Sequence, residues 1–321
     1  MLVVLCDLIT DINMHIPGFP IHPGSVHRLT YLDLGPGGAA NIAIMGARFK
    51  LPVTCLGQIG DDIFGQILLD GLIQESVDTS SILIEGGAST PMAGVIVDPQ
   101  AEPAYLGIAR GLDLDTLPDR WAGIIQGAQA LFADGWAEHP GVPKTVLAGF
   151  KAAKAAGVPV FFDPGPGNPD IPEGWIQEAI TLTDVLLVND LEASRFANHT
   201  DPDQAAKKLL TMGPEMVVLK LGPEGSTVYA GEEVHHTPGF PVTAVDQTGA
   251  GDSVTGAVIY AWLHQLKIAD LGVLANATGA AKVKKRGTGR NLPTLQEIRE
   301  LLQEQGHDPG LLPGINEGLK K

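Results

Sequence analysis

From about residue 120 onward, short apolar strands alternate with helices, and this alternation limits the possible folds more than any other feature of the sequence. The predicted strands are ALFADG, VPVFFDPG, VLLVND, MVVLKLG and STVYAG. The predicted helices cover about 144–156, 173–181, 190–198, 203–211, 252–266, 269–284 and 294–304. Buried apolar strands that alternate with helices are typical of a parallel sheet covered on both faces. We therefore predict an α/β fold with three layers, α/β/α, around a mostly parallel central sheet.

The N-terminal part follows a more mixed pattern. The segment LVVLCDLITDI predicts one buried strand that ends near Asp11, and a helix (41–49), the strand VTCLGQIG and a second helix (64–75) follow. Two segments, about 12–36 and 88–111, contain short alternating pieces interrupted by Pro and Gly. Because these pieces do not fit a parallel sheet, we predict that they form a small β-sheet lid inserted in a single domain, 1–304. A loosely ordered C-terminal tail, 305–321, is predicted to follow.

The charge and the apolar segments exclude several classes of protein. The chain of 321 residues carries a formal net charge of −16, which argues against broad electrostatic binding to nucleic acid or to anionic lipid. Its first residues, MLVVLCDLIT, have no basic start, and no run approaches the ~18 apolar residues of a membrane span. Cys6 and Cys55 lie in apolar, strand-like segments and are predicted to be reduced. We expect a cytoplasmic protein without a nucleic-acid or membrane partner.

The stretch DQTGAGDSVTGAVIYAWL, residues 246–263, places small residues and a carboxylate at the start of an apolar helix. The helix N-terminus offers unpaired N–H groups and the positive end of the dipole, and small residues before Asp252 let a phosphate approach. A carboxylate repels such an anion, but it is useful if it takes the proton of a hydroxyl group that attacks the phosphate. An ordinary N-cap Asp after a Gly-rich turn is the alternative, and the local residues do not decide between the two.

Two segments resemble signatures of the ribokinase-type (PfkB) carbohydrate kinase family. GGAANIAIMGARFKLPVTCLGQIGDDIFG is similar to the first signature and DQTGAGDSVTGAV to the second, and the similarity extends from Met1 to about residue 304. The resemblance implies an ATP- and Mg²⁺-dependent kinase that phosphorylates a hydroxymethyl group of a sugar or nucleoside. It also implies a ribokinase-like three-layer α/β/α fold with a β-sheet lid, through which many members form a homodimer.

The same resemblance implies a role for individual residues. Asp252 would be the catalytic base, and the anion hole would be formed by Gly249, Ala250 and Gly251. The substrate would be bound by Asp11, Gly37, Gly38 and Asn41. The nucleotide would be bound by Asn189, Glu192, Lys220, Gly222 and Gly225, with Glu192 also organising Mg²⁺ indirectly. The segment GTGRNLPT (287–294) resembles an adenine-side loop. Members often hold a monovalent cation near the position of Asp246, so a K⁺ site is a further expectation.

The substrate turn, GPGGAAN, favours a neutral acceptor. It contains no lysine or arginine, whereas recognition of a phosphorylated or acidic sugar needs basic groups. We therefore predict a small neutral sugar. A sugar acid stays an alternative if Arg28 or Arg110 of the lid reaches the site, and a nucleoside stays an alternative because Phe19, Tyr31 or Tyr105 can stack on a base.

A basic run, formed by Lys282, Lys284, Lys285 and Arg286, stands out in this acidic chain. Basic residues are favoured at a helix C-terminus by the helix dipole, which is the simpler interpretation. Contact with ATP is the alternative, and the sequence leaves both open.

Two hypotheses from other classes also remain. GPGGAA at 35–40 satisfies the G-x-G-x-x-G/A fingerprint of dinucleotide binding, with Asp61 and Asp62 further along, and this pattern suggests an NAD-dependent dehydrogenase. The segment before it, however, is broken by Pro and Gly and is not a clean buried strand. A non-catalytic sugar-binding sensor would keep the fold and lose the reaction, although it would not need to retain Asp252.

Overall fold

The computed structural model describes residues 1–5, 7–108, 114, 116–136, 141–166 and 174–312. Within these ranges the larger sheet has eight strands. In spatial order they are β14 (Glu233–Thr237), β13 (Ser226–Ala230), β12 (Met216–Lys220), β11 (Val185–Asn189), β10 (Val160–Asp163), β9 (Ala130–Asp134), β1 (Leu2–Leu5) and β4 (Val53–Leu56). The strands from β12 to β4 are parallel, whereas β13 and β14 are antiparallel additions at one edge. The predicted, mostly parallel central sheet is confirmed.

Helices cover both faces of this sheet. They are α1 (Ala39–Arg48), α2 (Ile63–Gln74), α3 (Asp119–Gln126), α4 (Gly141–Ala156), α5 (Gly174–Thr181), α6 (Asp190–Ala197), α7 (Pro202–Leu210), α8 (Ala250–Leu263), α9 (Ile268–Val283) and α10 (Leu295–Glu304). One apolar core joins the sheet to α1, α2 and α8–α10, and a second core joins it to α3–α7. Successive residues of β1 contribute to opposite cores, since Leu2 belongs to the first and Val3 to the second. The three-layer arrangement is therefore confirmed.

A smaller, four-stranded sheet forms the lid. Its spatial order is β3 (Tyr31–Gly38), β2 (Leu8–His15), β7 (Met92–Val97) and β8 (Pro103–Ile108). These strands fall largely in the two segments from which the sequence predicts a lid. A short parallel pair, β5 (Gln58–Gly60) and β6 (Leu83–Glu85), lies apart from both sheets.

The N-terminal strand differs from its prediction. The segment LVVLCDLITDI forms two strands in two sheets: β1 lies in the central sheet and β2 lies in the lid. VTCLGQIG is divided in the same way between β4 and β5. Apolar residues occur in both strands of each segment, such as Leu8 and Ile9 in β2 and Ile59 in β5, so the apolar pattern does not reveal where the chain leaves one sheet for another. As a consequence, Asp11 lies within the lid strand β2 and not at the end of a central strand.

Other differences are small. The helix α3 and the edge strand β14 were not predicted. Each places few residues in the core, because α3 is short and buries Trp121 and Ile125, and β14 is mostly exposed. In the tail expected to be loosely ordered from residue 305, residues 305–308 are exposed, whereas Leu312 is buried in the first core. Residues 313–321 lie outside the described ranges. Among the described residues no helix is both long and apolar enough to cross a membrane.

Candidate active site

A cavity of about 540 Å³ lies between the lid and the carboxyl ends of the central strands. The central sheet contributes Asp134, Asp163, Asn189 and Lys220, each the last residue of its strand. The carboxyl ends of parallel strands are the usual ligand-binding edge of an α/β sheet. Of the predicted site residues, those that line the cavity are Asp11, Gly38, Asn41, Asn189, Glu192, Lys220, Gly249, Gly251 and Asp252.

The N-terminus of α8 opens into this cavity. Gly249 is the N-cap residue and adopts a left-handed conformation with φ 75°, which favours glycine. The N–H of Ala250 donates to the carbonyl of Gln247 (3.1 Å), and this bond closes the turn that leads into the helix. Asp252 lies in the first helical turn and, with Gly249 and Gly251, faces the cavity. The helix end therefore combines a site suited to an anion with a carboxylate.

Asn41 holds the carboxylate of Asp252. The Asn41 Nδ2 group, on α1, donates to Asp252 Oδ2 at 2.7 Å, and the Asn41 Oδ1 atom accepts from the N–H of Gly289 (3.0 Å). Burial raises the pKa of Asp252 to about 6; the bond from Asn41 opposes this shift and the nearby charge of Asp163 adds to it. The carboxylate is consequently ionised at neutral pH and can accept a proton.

A fall in activity at acidic pH follows from this pKa. Because only the ionised form of Asp252 accepts a proton, kcat/KM should fall about tenfold per pH unit below the pKa, which lies at about 6. In Asn41→Ala the acidic limb should move to higher pH, since the hydrogen bond that lowers the pKa of Asp252 is lost. Initial rates from pH 5 to 8 check both expectations, and a flat profile over this range would contradict them.

Asp11 lies on the opposite, lid side of the cavity. Its side chain is buried, and its Oδ2 atom accepts from Thr288 Oγ1 at 2.7 Å. Burial raises the pKa of Asp11 to about 7, against the effect of the Thr288 bond and with a further contribution from Asp252. Gly37 adjoins this carboxyl group so closely that a Cβ there would lie 2.0 Å from Asp11 Cγ. The lid strands β2 and β3 thus place Gly37 directly against the buried carboxyl group of Asp11.

The segment 287–294, expected on the adenine side, contacts residues that the sequence predicts to bind the substrate. Thr288 bonds to Asp11, Gly289 bonds to Asn41, and Arg290 pairs with Asp33 of the lid strand β3. Its contact with adenine stays a prediction.

Two of the predicted nucleotide-binding residues cap α6. The Asn189 side chain accepts from the N–H of Glu192, and the Glu192 Oε2 atom accepts from the N–H of Asn189, each at 2.8 Å. Lys220 Nζ lies 2.6 Å from Asp163 Oδ2. Burial alone would lower the pKa of Lys220, but Asp163 and Glu192 outweigh it and raise that pKa. A charged ammonium group therefore lies beside carboxylates at this end of the cavity.

Gly222 and Gly225 are not among the residues that line the cavity. They flank the turn between β12 and β13, and a Cβ on Gly225 would lie 2.1 Å from the carbonyl oxygen of Thr237. The structure accounts for Gly225 by this close packing. Their predicted contact with a nucleotide stays a prediction.

The residues present fit Mg²⁺ held mainly by nucleotide phosphates. Within the described ranges no group of three or more His, Cys, Asp or Glu side chains is arranged to hold a metal ion. Glu192 faces the cavity while one of its oxygens is already bonded to Asn189, which suits contact through water. Mg²⁺ commonly keeps several waters and binds to substrate phosphates with one or two carboxylates.

The surroundings of Asp246 do not fit the expected K⁺ site. Its Oδ1 atom accepts from the N–H of Thr248 (2.8 Å); its Oδ2 atom accepts from the N–H of Gly287 (2.7 Å) and lies 3.0 Å from His15 Nε2. Its carbonyl oxygen accepts from Lys282 Nζ at 3.3 Å. Both carboxylate oxygens therefore have donors, and an ammonium group already contacts the carbonyl group.

The basic run does not act as one surface. Lys282 is fully buried, whereas Lys285 pairs with Glu297 at 3.0 Å and Arg286 lies over the ring of Tyr31. Burial lowers the pKa of Lys282 to about 8, a shift that Asp246 opposes. None of these three side chains is among those that line the cavity, so the structure does not support contact with ATP.

Sequence reasoning did not assign a role to three further residues at the cavity. Asp7 and Asp134 lie at the ends of β1 and β9, and both are buried. Burial raises the pKa of Asp134 well above its usual range, and Asp7 and Asp163 add to the shift. Trp136 lies 5.9 Å from Tyr105, between ring centroids. In the sequence, the position of Asp134 at the end of a predicted strand is a weak indication of a site residue, whereas no sequence pattern indicates Trp136.

The site combines a helix N-terminus suited to phosphate, a carboxylate beside it and a cavity in front of both. This combination is typical of enzymes that transfer a phosphoryl group to a small molecule. Comparison with known proteins makes the class specific. Residues 1–295 match the pfkB family carbohydrate kinase, and the chain belongs to this family. The expected family and enzyme class, an ATP-dependent carbohydrate kinase, are thereby confirmed.

Individual relatives agree with this assignment. A nucleoside kinase of Methanothermobacter thermautotrophicus is 29% identical over 304 residues, which cover 93% of this chain and 94% of the relative. The structure of Arabidopsis thaliana ribokinase complexed with ribose and ATP has a TM-score of 0.80 at 26% identity, covering 94% of this chain and 98% of that one. A putative ribokinase II of E. coli, in complex with ATP and Mg²⁺, has a TM-score of 0.82 at 23% identity, covering 94% and 99%. The expected ribokinase-like fold is confirmed.

The dehydrogenase hypothesis is not supported. Its fingerprint, GPGGAA, lies in the antiparallel lid strand β3 and the start of α1, and not at the end of a central parallel strand. A dinucleotide fingerprint needs the latter position to place a pyrophosphate on the helix N-terminus. A sensor would bind sugar without releasing ADP, so a measurement of ADP release distinguishes it from a kinase.

Proposed function

We propose that this enzyme transfers the γ-phosphate of ATP to a hydroxymethyl group of a small neutral sugar. The observation that carries the proposal is the position of Asp252, an ionised carboxylate in the first turn of α8, at a cavity whose opposite side holds Asp11. The solved ribokinase complex with ribose and ATP supports the same acceptor class.

Each site residue has a specific task in this proposal. Asp11 and Asn41, with the backbone of Gly38, bind and orient the sugar. Asp252 accepts the proton of the attacking hydroxyl group. The turn at Gly249 and Ala250 directs the N–H groups of Gly251 and Asp252 toward the phosphate, where they stabilise developing negative charge.

The nucleotide side completes the arrangement. Lys220 contributes a positive charge near the phosphates, and Asn189 and Glu192 would hold Mg²⁺ through water. When bound, Mg²⁺ would supply positive charge that offsets the negative charge developing on the phosphates during transfer. The E. coli complex with ATP and Mg²⁺ is consistent with both cofactors. Roles for Gly222 and Gly225 in nucleotide binding stay part of the proposal.

The charge of the cavity favours a neutral acceptor. Among the described residues that line it, the acidic side chains are Asp7, Asp11, Asp134, Asp163, Glu192 and Asp252, while the basic one is Lys220, already paired with Asp163. An anionic acceptor would meet net repulsion. Arg28 is exposed in the lid and Arg110 lies outside the described ranges, so a sugar acid finds no described basic partner here.

A nucleoside is the second candidate, favoured by two aromatic rings. Trp136 and Tyr105 both line the cavity and remain 42% and 49% exposed. Exposed rings at a cavity offer a stacking surface for a base. The similarity to a nucleoside kinase supports this alternative.

A panel of acceptors tests both candidates. The protein, ATP and Mg²⁺ are incubated with neutral sugars, nucleosides, sugar acids and sugar phosphates, and ADP release is measured for the wild type and Trp136→Ala. We expect release with a neutral sugar and a similar rate in the variant. Release with nucleosides, with KM raised about tenfold or more in Trp136→Ala, would instead select the second candidate. Turnover confined to anionic acceptors would contradict the proposal.

Two further expectations stay proposals. One face of the lid carries three apolar side chains, those of Met14, Leu32 and Leu106. Met14 is half-buried, whereas Leu32 and Leu106 are more than half exposed. An exposed apolar stripe of this kind supports a homodimer formed through the lid, which a solution mass twice that of the chain would establish. A cytoplasmic location stays a prediction, consistent with the free thiol of Cys55; Cys6 lies outside the described ranges.

A further inference from the structure

We infer that the ammonium group of Lys282 takes the place of a monovalent cation beside Asp246, so that this kinase positions its anion-binding turn without K⁺. The inference rests on the proposed function, because it concerns the turn that leads to Gly249 and Asp252. It makes Lys282 a positioning residue and not a catalytic one.

The contacts of Lys282 resemble those of a coordinated cation. The side chain extends from the last turn of α9 and is 0% exposed. Its Nζ group donates to the carbonyl oxygens of Asp246 (3.3 Å) and Lys285 (3.1 Å). One carbonyl precedes α8 and the other follows α9, so a single buried charge joins two loops. Burying such a charge is costly unless it is hydrogen-bonded, and these bonds offset that cost.

A second cation does not fit beside this ammonium group. Both carboxylate oxygens of Asp246 already have hydrogen-bond partners, which are the N–H groups of Thr248 and Gly287 and the ring of His15. A K⁺ ion that reached the carbonyl oxygens would also lie against the Lys282 charge, and two like charges repel strongly in a buried site. Lys282 and K⁺ are therefore alternatives at this position.

Lys282 is also linked to both sides of the active site. A Cβ on Gly249 would lie 3.6 Å from Lys282 Cε, so the aliphatic part of the lysine packs behind the N-cap of α8. On the substrate side, Lys282 donates to the carbonyl oxygen of Lys285, which lies three positions before Thr288. Thr288 in turn donates to Asp11. Loss of the charge should therefore disturb the anion-binding turn and the substrate side together.

The test compares cation dependence in two variants. Rates and thermal unfolding are measured with K⁺ and with tetramethylammonium as the only monovalent cation, for the wild type, Lys282→Ala and Lys284→Ala. Lys284 is the matched control, since it lies two residues further on and is exposed. We expect the wild type and Lys284→Ala to change less than about twofold between the two salts.

Lys282→Ala should behave differently. Without K⁺ its kcat should fall by about 10- to 100-fold, which is typical when an outer group that positions the binding residues is removed. K⁺ should restore part of the rate and raise the melting temperature of this variant alone, because the ion can enter the space that the ammonium group leaves. Lys282→Met, which keeps most of the stem and loses the charge, separates packing from electrostatics and serves if Lys282→Ala does not fold.

Two results would overturn the inference. The first is a several-fold activation of the wild type by K⁺. The second is a Lys282 variant whose rate and melting temperature do not respond to K⁺, which would show that the role of Lys282 is structural only. The melting temperature is independent of catalysis. A K⁺ response in Lys282→Ala therefore stands even if Asp252→Asn stays active, an outcome that would refute the proposed base alone.

Discussion

Asp252→Asn is expected to lower kcat by about 10²- to 10⁴-fold while leaving the affinity for ATP and sugar nearly unchanged. An amide of almost the same shape cannot accept the proton of the attacking hydroxyl group. It can still accept the hydrogen bond from Asn41, now 2.7 Å from Asp252 Oδ2, so the local geometry should persist. Removal of a negative charge beside the anion site should also not weaken the binding of phosphate.

The rate of ADP release measures the expected loss of kcat, and calorimetric titration with ATP measures the expected unchanged affinity. Asp119→Asn is the matched control, because Asp119 is an exposed aspartate in the first turn of another helix, α3, and is not among the residues that line the cavity. A rate within tenfold of the wild type would refute Asp252 as the base. A wild type that binds sugar but releases no ADP with any acceptor would support the sensor hypothesis.

Gly37→Ala is expected to raise KM for the sugar by about 10- to 100-fold, since a hydrogen bond to a charged group contributes about 1.5–3 kcal/mol. The new Cβ would lie 2.0 Å from Asp11 Cγ and Oδ1, so the carboxyl group must leave the position in which it lines the cavity and accepts from Thr288. Backbone strain is not the cause, because Gly37 does not have a positive φ. The affinity for ATP should change little.

Gly94→Ala provides the control in the same lid sheet. A Cβ at Gly94 would make ordinary contacts with Met14 Cε (3.4 Å) and Leu106 Cβ (3.5 Å), its φ is not positive, and Gly94 is not among the residues that line the cavity, so this variant should keep wild-type kinetics. Thermal unfolding of both variants shows whether the fold survives; overpacking at Gly37 should cost about 1–3 kcal/mol. Equal KM values for the two variants would show that Asp11 does not bind the sugar.

The local parts of the site were predictable because they depend on short-range physics. A glycine N-cap followed by a carboxylate at Asp252 is visible in the sequence, since only residues 249–252 and the helix dipole are involved. The capping box of Asn189 and Glu192 is also local, because its two residues are only three positions apart. The parallel central sheet follows from the regular alternation of strands and helices.

The residues that tertiary packing brings together were not predictable in the same way. Asp11 and Thr288, a hydrogen-bonded pair, are separated by 277 positions, and no local pattern joins them. The change of sheet between β1 and β2 is hidden because the apolar run of β1 continues into the first two residues of β2, Leu8 and Ile9. In each case the decisive contact depends on how distant segments pack.

The sequence alone determined the α/β class, the lid segments and the helix N-terminus at Asp252, because periodicity, glycine geometry and the helix dipole act over a few residues. Only the tertiary structure decided that Lys282 is buried against Asp246 while its neighbour Lys284 is exposed. The two lysines are alike in sequence and in helix-dipole preference. Their environments differ because Lys282 lies in the last turn of α9, a helix whose residues are all buried or half-buried, whereas Lys284 is the C-cap residue at which the chain leaves the core, and where the helix ends relative to the core is set by packing.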